Sequence, residues 1–228
     1  MIIHLKDSIK HYSALFPAFA VVFLSVRFYE ALIVSSRHIL PDNYAQLLFT
    51  GFLFDLGLIG VIGLLLLIIH LVGRLVSFTL TTAFFYIAAT MLLLIYIALV
   101  QYYAEVLLPL GRDFYAYNAA EISDTVNTSI DFGLLRILPY ILFPALIYPL
   151  SLLFKRFSGS DAYQYGLLAW LAIGTLAWAL FYPKSSVYDS EVEFNVVVNK
   201  ASFFAGQSSI YFRDKAAGTS RIPEFAGS

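Results

Sequence analysis

Three charged residues stand inside long apolar stretches of this sequence, and the chain's candidate chemistry begins with them. Arg27 and Glu30 lie three residues apart in one stretch, and Asp55 lies in the next. A charge at the centre of a membrane helix costs about 2.5–3.5 kcal/mol, so such residues usually face a partner. A spacing of three places Arg27 and Glu30 on one helix face. Pairing of Arg27 with Asp55 would then satisfy both charges.

Two interpretations of this polar cluster follow from the residue types. It is a structural clasp between neighbouring helices, or it is an ion path or lipid-headgroup site. A second charged group lies in the polar stretch 101–131 and is a candidate contact for a headgroup or a partner domain, with a solvated surface as the alternative. Its members are Arg112, Asp113, Glu121 and Asp124.

The sequence offers no catalytic set and no metal site. The four histidines are scattered along the chain without the spacing of metal ligands: His4, His11, His38 and His70. A nucleophile elbow, a P-loop and a Gly-rich dinucleotide turn are all missing from the sequence. It also has no cysteine, which excludes disulfides, thiol catalysis and cysteine metal sites.

The amino-acid composition indicates that these residues lie in a membrane protein. Of the 228 residues, 60% are hydrophobic and 13% are charged, whereas a soluble domain carries about 25% charged residues. The mean hydropathy is +0.79, and aromatic residues make up 17%, which suits lipid contact and interfacial anchoring. The formal net charge of −1 gives no electrostatic reason to expect a nucleic-acid partner. Membrane lipids are the expected surroundings.

Five apolar stretches have the length that crosses a bilayer, since about 20 apolar residues in a helix cover its hydrocarbon layer. They lack the short alternating segments of a membrane β-barrel. We therefore predict an all-α, polytopic membrane protein with a five-helix domain over residues 1–183 and a juxtamembrane helix and linker over 184–228. The first stretch is too long for a cleaved signal peptide. The predicted spans are 14–34, 46–72, 78–100, 134–154 and 165–182.

The distribution of Lys and Arg in the short loops predicts the orientation, because such residues are more frequent on the cytoplasmic side. With the N-terminus in the cytoplasm, Arg37 and Arg112 lie outside, with Arg136 near the start of span four. The C-terminal tail is then extracytoplasmic. The residues that would lie inside are Lys6, Lys10, Arg74, Lys155 and Arg156.

Several smaller features complete the expected architecture. We predict an interfacial helix within 101–131 and an amphipathic helix from Phe194 to Tyr211, although the run Val196-Val-Val198 favours a strand. Three prolines spaced by five residues predict a bend or hinge in span four: Pro139, Pro144 and Pro149. Four glycines in span two predict close helix packing: Gly51, Gly57, Gly60 and Gly63.

Three segments taken together resemble the membrane half of the lipoteichoic acid synthase family, in the variety found in Gram-negative bacteria. They are TGFLFDLG in span two, QYYAEVLLPLGRDFYAYNAAEISDT after span three, and NVVVNKASFF after span five. The resemblance covers nearly the whole chain and includes the number of spans. The parts of this chain that resemble the family are the span with Asp55, the outer stretch from Arg112 to Asp124, and the linker near Asn199.

The resemblance implies a function for the chain. In that family five helices anchor an extracellular sulfatase-fold domain of the alkaline phosphatase superfamily. There a Thr nucleophile and a divalent metal, manganese or similar, transfer phosphoglycerol from a lipid to an acceptor. This sequence ends before such a domain and has no residue matching its nucleophile or metal ligands. It is therefore expected to be the anchor, without turnover of its own, in the bacterial inner membrane.

Two other functions remain open from the sequence. The chain is alternatively a small transporter or channel subunit that uses Arg27, Glu30 and Asp55, although paired halves and broken helices are lacking. It is alternatively a non-catalytic scaffold that recruits a partner subunit through its outer loop and tail.

Overall fold

The computed structural model describes residues 2–116 and 134–218 and consists of helices and short turns, with no strand in those ranges. Five helices are long and apolar enough to cross a membrane, which confirms the predicted all-α, five-span architecture. They are α1 (Ile2–Ser35), α2 (Tyr44–Arg74), α3 (Phe78–Val106), α4 (Leu134–Lys155) and α5 (Asp161–Phe181). Two shorter helices follow, α6 (Glu191–Val197) and α7 (Lys200–Ala216), with 3₁₀ turns at Arg112–Ala116 and Ser185–Val187.

Side-chain caps explain where several helices begin. The Ser77 hydroxyl accepts a hydrogen bond from the Leu80 amide at the start of α3, and Ser160 does the same for Tyr163 at the start of α5. Such caps satisfy backbone N–H groups that lack a partner within the helix. At its other end, α3 terminates at Leu107, which has a left-handed backbone with φ 57°.

Helix α1 lies at the centre of the bundle and packs against α2, α3, α4 and α5. Its buried face carries large aromatic side chains, including Tyr12, Phe16, Phe19 and Phe23. Outward-facing residues such as Phe49, Leu65 and Ile68 of α2, by contrast, are apolar and exposed. A helix that is apolar on all sides suits a bundle surrounded by lipid.

Helices α2 and α5 approach each other closely at glycine. A Cβ atom added at Gly60 would lie 2.8 Å from the Thr175 amide nitrogen and 2.9 Å from the Gly174 carbonyl carbon. At Gly57 it would lie 3.1 Å from the Trp178 Cβ. Small residues allow helix backbones to come together in this way, so the close packing predicted for the α2 glycines is confirmed.

We therefore expect Gly60→Ala to lower the free energy of unfolding by about 1–3 kcal/mol, the usual cost of overpacking. Gly166→Ala is the matched control, because it lies on α5 with nothing within 4 Å of an added Cβ. The control is expected to be neutral or slightly stabilising, since alanine favours helices. SDS titration of the protein in mixed micelles measures both. Equal effects of the two changes would contradict the close approach.

The C-terminal segment differs from the predicted single helix. Val198 and Asn199 are extended, with ψ of 136° and 126°, and they separate α6 from α7. The Asn199 side chain accepts hydrogen bonds from the amides of Ala201 and Ser202 and so begins α7. An asparagine that caps a new helix competes with continuation of the previous one. The apolar periodicity was correctly helical but did not locate this break.

Two further predictions concern α4 and the stretch 101–131. Helix α4 runs without interruption through its three prolines, and the predicted bend stays a prediction. Of the stretch 101–131 in which an interfacial helix is predicted, residues 101–106 belong to α3 and Arg112–Ala116 form a 3₁₀ turn. Residues 117–131 lie outside the described residues, so the interfacial helix stays a prediction.

Candidate functional site

A buried charge cluster lies where α1, α2 and the α6–α7 junction meet. We define it as Arg27, Glu30, Asp55, Asn199 and Lys200, whose exposed fractions are at most 3%. The structure thus brings together the three charged residues singled out in the sequence. It adds an amide and a second cation, so that two cations face two carboxylates.

All five N–H donors of Arg27 have acceptors. Its Nε donates to Asp55 Oδ2 at 2.8 Å and its Nη2 to Asp55 Oδ1 at 3.3 Å, as expected for the predicted pair. Its Nη1 donates to Glu30 Oε1 at 3.3 Å. The remaining donors reach the carbonyl oxygens of Val196 at 2.9 Å and Val197 at 2.8 Å. The planar guanidinium suits this role because it holds several acceptors at once.

The cluster also completes the end of α6. The last carbonyls of a helix have no intrahelical N–H partner. Besides the two that Arg27 binds, those of Asn195 and Val198 accept hydrogen bonds from Lys200 Nζ at 2.6 Å and 3.0 Å. Cations at the C-terminal end of a helix also interact favourably with its dipole. A seven-residue helix is marginal alone, so these bonds fix α6 to the bundle.

Lys200 is itself enclosed by three helices. Its Nζ lies 2.5 Å from Glu30 Oε1 and 3.9 Å from the centre of the Tyr103 ring, which adds a cation–π contact. Burial lowers the pKa of Lys200 from 10.5 to about 8, against the opposing attraction of Glu30. Burial therefore favours the neutral amine, while Glu30 favours the ammonium.

A pH dependence follows from this pKa. Between pH 8 and 10.5 the unfolded chain holds a proton on Lys200 that the folded chain has lost, so the free energy of unfolding rises with pH. The slope is at most about 1.4 kcal/mol per pH unit for one proton. The charged groups facing Lys200 are Arg27 and Glu30 on α1 and Asp55 on α2.

We expect this rise to disappear in Lys200→Met. Since other lysines and tyrosines titrate in the same range, the informative quantity is the difference in free energy of unfolding between wild type and variant at each pH. A difference independent of pH from 7 to about 10.5 would contradict a lowered pKa for Lys200.

Asn199 links the cluster to the start of α7. Its Nδ2 donates to Asp55 Oδ1 at 2.9 Å, while its Oδ1 is the cap that accepts from Ala201 and Ser202. The amide therefore uses both ends, one toward α2 and one toward its own helix.

Sequence reasoning missed Lys200 because it lies outside the five apolar spans. One signal was available. Arg27 alone against Glu30 and Asp55 leaves one negative charge, and buried charges are normally balanced. Lys200, two residues after the apolar run Val196-Val-Val198, was the candidate to supply that balance.

The geometry favours the clasp over the ion path. Each charge is held by at least two fixed partners, and none of the cluster is open to solvent. Within the described ranges, no group of three His, Asp or Glu residues is arranged to hold a metal ion.

The second predicted group is only partly described. Arg112 and Asp113 lie in the first 3₁₀ turn, which packs on α7, and Asp113 Oδ1 accepts a hydrogen bond from the Gly111 amide at 3.1 Å. Both line a cavity of about 420 Å³ beside Glu191. Glu121 and Asp124 lie outside the described residues. Their joint role with Arg112 and Asp113 stays a prediction.

The histidines are not all scattered, contrary to the expectation from sequence. His11 of α1 and His70 of α2 are in contact, with 3.5 Å between His11 Nδ1 and His70 Nε2. Residues 59 positions apart meet because α1 and α2 pack as antiparallel neighbours. Linear spacing could not show this contact.

Comparisons of the sequence and structure with protein-family models, curated proteins and solved structures found no match of any of the three kinds.

Proposed function

We propose that this chain is the membrane domain that anchors and positions an extracytoplasmic lipid-headgroup transferase with a sulfatase fold. The resemblance of three sequence segments to the lipoteichoic acid synthase family suggests this function. The buried charge cluster is the observation that supports it most. It fastens the chain that follows the fifth span to α1 and α2, where a domain attached beyond α7 would begin.

Positioning is the physical contribution of such a domain. Holding a lipid donor and a nucleophile at one membrane surface removes much of the entropic barrier to their encounter. A fixed α6–α7 junction serves this purpose better than a flexible linker, because it restricts where the attached domain lies above the bilayer. The proposed location is the bacterial inner membrane, with the C-terminus extracytoplasmic and the divalent metal in the transferase domain.

Reconstitution in liposomes containing phosphatidylglycerol tests the proposal. A sulfatase-fold domain encoded in the same genome is added either joined after Ser228 or free at the same concentration. Release of the glycerol phosphate headgroup is then measured with Mn²⁺ present. We expect release to be faster for the joined form, and we expect none from the 228-residue chain alone.

The test variant is the joined form with Lys200→Met, which loosens the α6–α7 junction and leaves the transferase domain intact. It should fall toward the rate of the free domain. Equal rates for joined and free domains would overturn the positioning role, and metal-dependent release by the chain alone would overturn the anchor assignment.

A small transporter or channel subunit is the alternative, with a non-catalytic scaffold as a third candidate. The presence of charged residues inside the membrane spans favours a transport function. Their complete pairing is an argument against it, since an ion path needs groups that exchange partners. Proteoliposome flux abolished by Asp55→Asn would support the transporter. A partner subunit recovered in equal amount with the purified protein would support the scaffold.

A further inference from the structure

A second polar region lies at the opposite end of the bundle from the charge cluster. Lys10 precedes Arg27 by 17 residues on α1, or about 25 Å along the helix. Here a cavity of about 480 Å³ opens between α1, α3, α4 and the end of α2. Three cations line it, Lys10, Arg74 and Lys155, together with one carboxylate, Asp7. No part of the proposed function uses this cavity.

The three cations have no ion pair with any carboxylate in the described parts of the chain. At the same end of the bundle Lys6 does form one, with Asp161 at 3.1 Å. Arg74 is nevertheless held in place. Its Nε donates to the Ser8 hydroxyl at 3.3 Å, and its guanidinium lies 4.0 Å from the centre of the Phe78 ring. The Arg74 side chain is therefore held in one orientation, although no carboxylate of the described residues pairs with it.

The cavity has a charged rim, and hydroxyl groups and apolar side chains both line it at greater depth. On α3 it extends from Phe78 to Tyr86, eight residues or about 12 Å. At the deeper level the Tyr86 hydroxyl and the Ser151 hydroxyl are hydrogen-bonded at 2.9 Å. Leu15 and Leu152 provide apolar wall. A soluble anion would use only the rim of such a cavity.

We propose that this cavity binds an anionic glycerophospholipid. Lys10, Arg74 and Lys155 hold the phosphate, because Arg and Lys recognise phosphate through charge-assisted hydrogen bonds. The Ser151 hydroxyl donates to the Tyr148 carbonyl, so the Tyr86 hydroxyl donates to Ser151, and the Tyr86 oxygen is left to accept a hydrogen bond from a hydroxyl of the lipid headgroup. The acyl chains lie along the apolar outer surface of the helices. Basic pockets between membrane helices bind anionic headgroups by this chemistry.

Binding measurements on the purified protein in neutral detergent test the site. The probes are short-chain phosphatidylglycerol, short-chain phosphatidylcholine and soluble glycerol 3-phosphate. Phosphatidylglycerol is expected to bind at least about tenfold more tightly than either of the others, since tenfold corresponds to one good charge-assisted contact. Glycerol 3-phosphate separates a free phosphate from a lipid as the true ligand.

Lys155→Gln is the test variant, and Arg156→Gln is its matched control. Both residues are exposed, Lys155 as the last residue of α4 and Arg156 directly after it, but only Lys155 lines the cavity. We expect Lys155→Gln to weaken phosphatidylglycerol binding by about tenfold and Arg156→Gln to leave it unchanged. Arg74→Gln should weaken binding similarly. Thermal melting of each variant without lipid verifies that it is folded.

Three results would overturn the proposal. They are equal affinity for phosphatidylglycerol and phosphatidylcholine, equal weakening by Lys155→Gln and Arg156→Gln, and binding of glycerol 3-phosphate as tight as that of the lipid. None of these results bears on the transferase anchor at the other end of the bundle, so the two proposals fail separately.

Discussion

Asp55→Leu is expected to lower the free energy of unfolding by about 3–5 kcal/mol, the usual cost of removing one partner of a buried ion pair. Arg27 would keep its positive charge at an exposed fraction of 2%, and two of its five N–H donors would lose their acceptor. Asn199 would lose its bond to the same carboxylate. SDS titration in mixed micelles measures the change.

A double-mutant cycle with Arg27→Met separates charge from packing. Each single change leaves an unpaired charge, whereas the double variant keeps Glu30 and Lys200 as a neutral pair at 2.5 Å. We expect the double variant to lose less free energy of unfolding than the two single variants lose together, by more than about 1 kcal/mol. Recovery should be incomplete, because the Val196 and Val197 carbonyls lose their donors.

The ion pair Lys6–Asp161 provides the control within the same chain. Its side chains are 65% and 53% exposed, so Asp161→Asn is expected to cost no more than about 1 kcal/mol. An effect of Asp55→Leu as small as that of Asp161→Asn would contradict a dry, fully paired cluster.

Single-cysteine labelling is expected to give an all-or-none result for the fifth helix. The chain has no cysteine, so each introduced thiol is unique. Gly159 and Ser186 are exposed positions at opposite ends of α5, whose 21 residues span about 31 Å. With the predicted orientation, an impermeant maleimide labels Ser186→Cys in intact spheroplasts. It should label Gly159→Cys only after the membrane is opened.

Gly206→Cys is the companion position on α7, where nothing lies within 4 Å of an added Cβ. It should be labelled together with Ser186→Cys. Labelling of Gly159 and Ser186 from the same side would contradict a membrane-crossing α5. The reverse pattern for all three positions would leave the membrane crossing intact, but it would contradict the orientation inferred from Lys and Arg and with it the proposed extracytoplasmic anchor.

The sequence predicted the helices well because their signal is local. Twenty apolar residues in a row identify a span without any knowledge of its neighbours, and the pairing of Arg27 with Asp55 followed from the cost of burying either alone. Close packing at Gly60 was similarly visible, since small residues in a membrane helix have few other uses.

Contacts between distant segments were harder to predict. Lys200 and the His11–His70 contact depend on which helix faces meet, and a linear pattern does not encode that. The break at Asn199 was missed for a different reason. The break occupies only two extended residues, Val198 and Asn199, so it barely disturbs the apolar periodicity. The Asn199 side chain is also hydrogen-bonded to Asp55 in another helix, and a linear pattern does not show that contact.

The clasp has a consequence for synthesis of the protein on the ribosome. Asn199 is 144 residues beyond Asp55, so the balancing cation at Lys200 is added roughly 7–30 s after the second span at ordinary translation rates. Until then Arg27 is the only cation of the cluster against two carboxylates, Glu30 and Asp55. The cluster is thus completed only after all five spans have been made, and a chain truncated before α7 would lack the cation that pairs with Glu30.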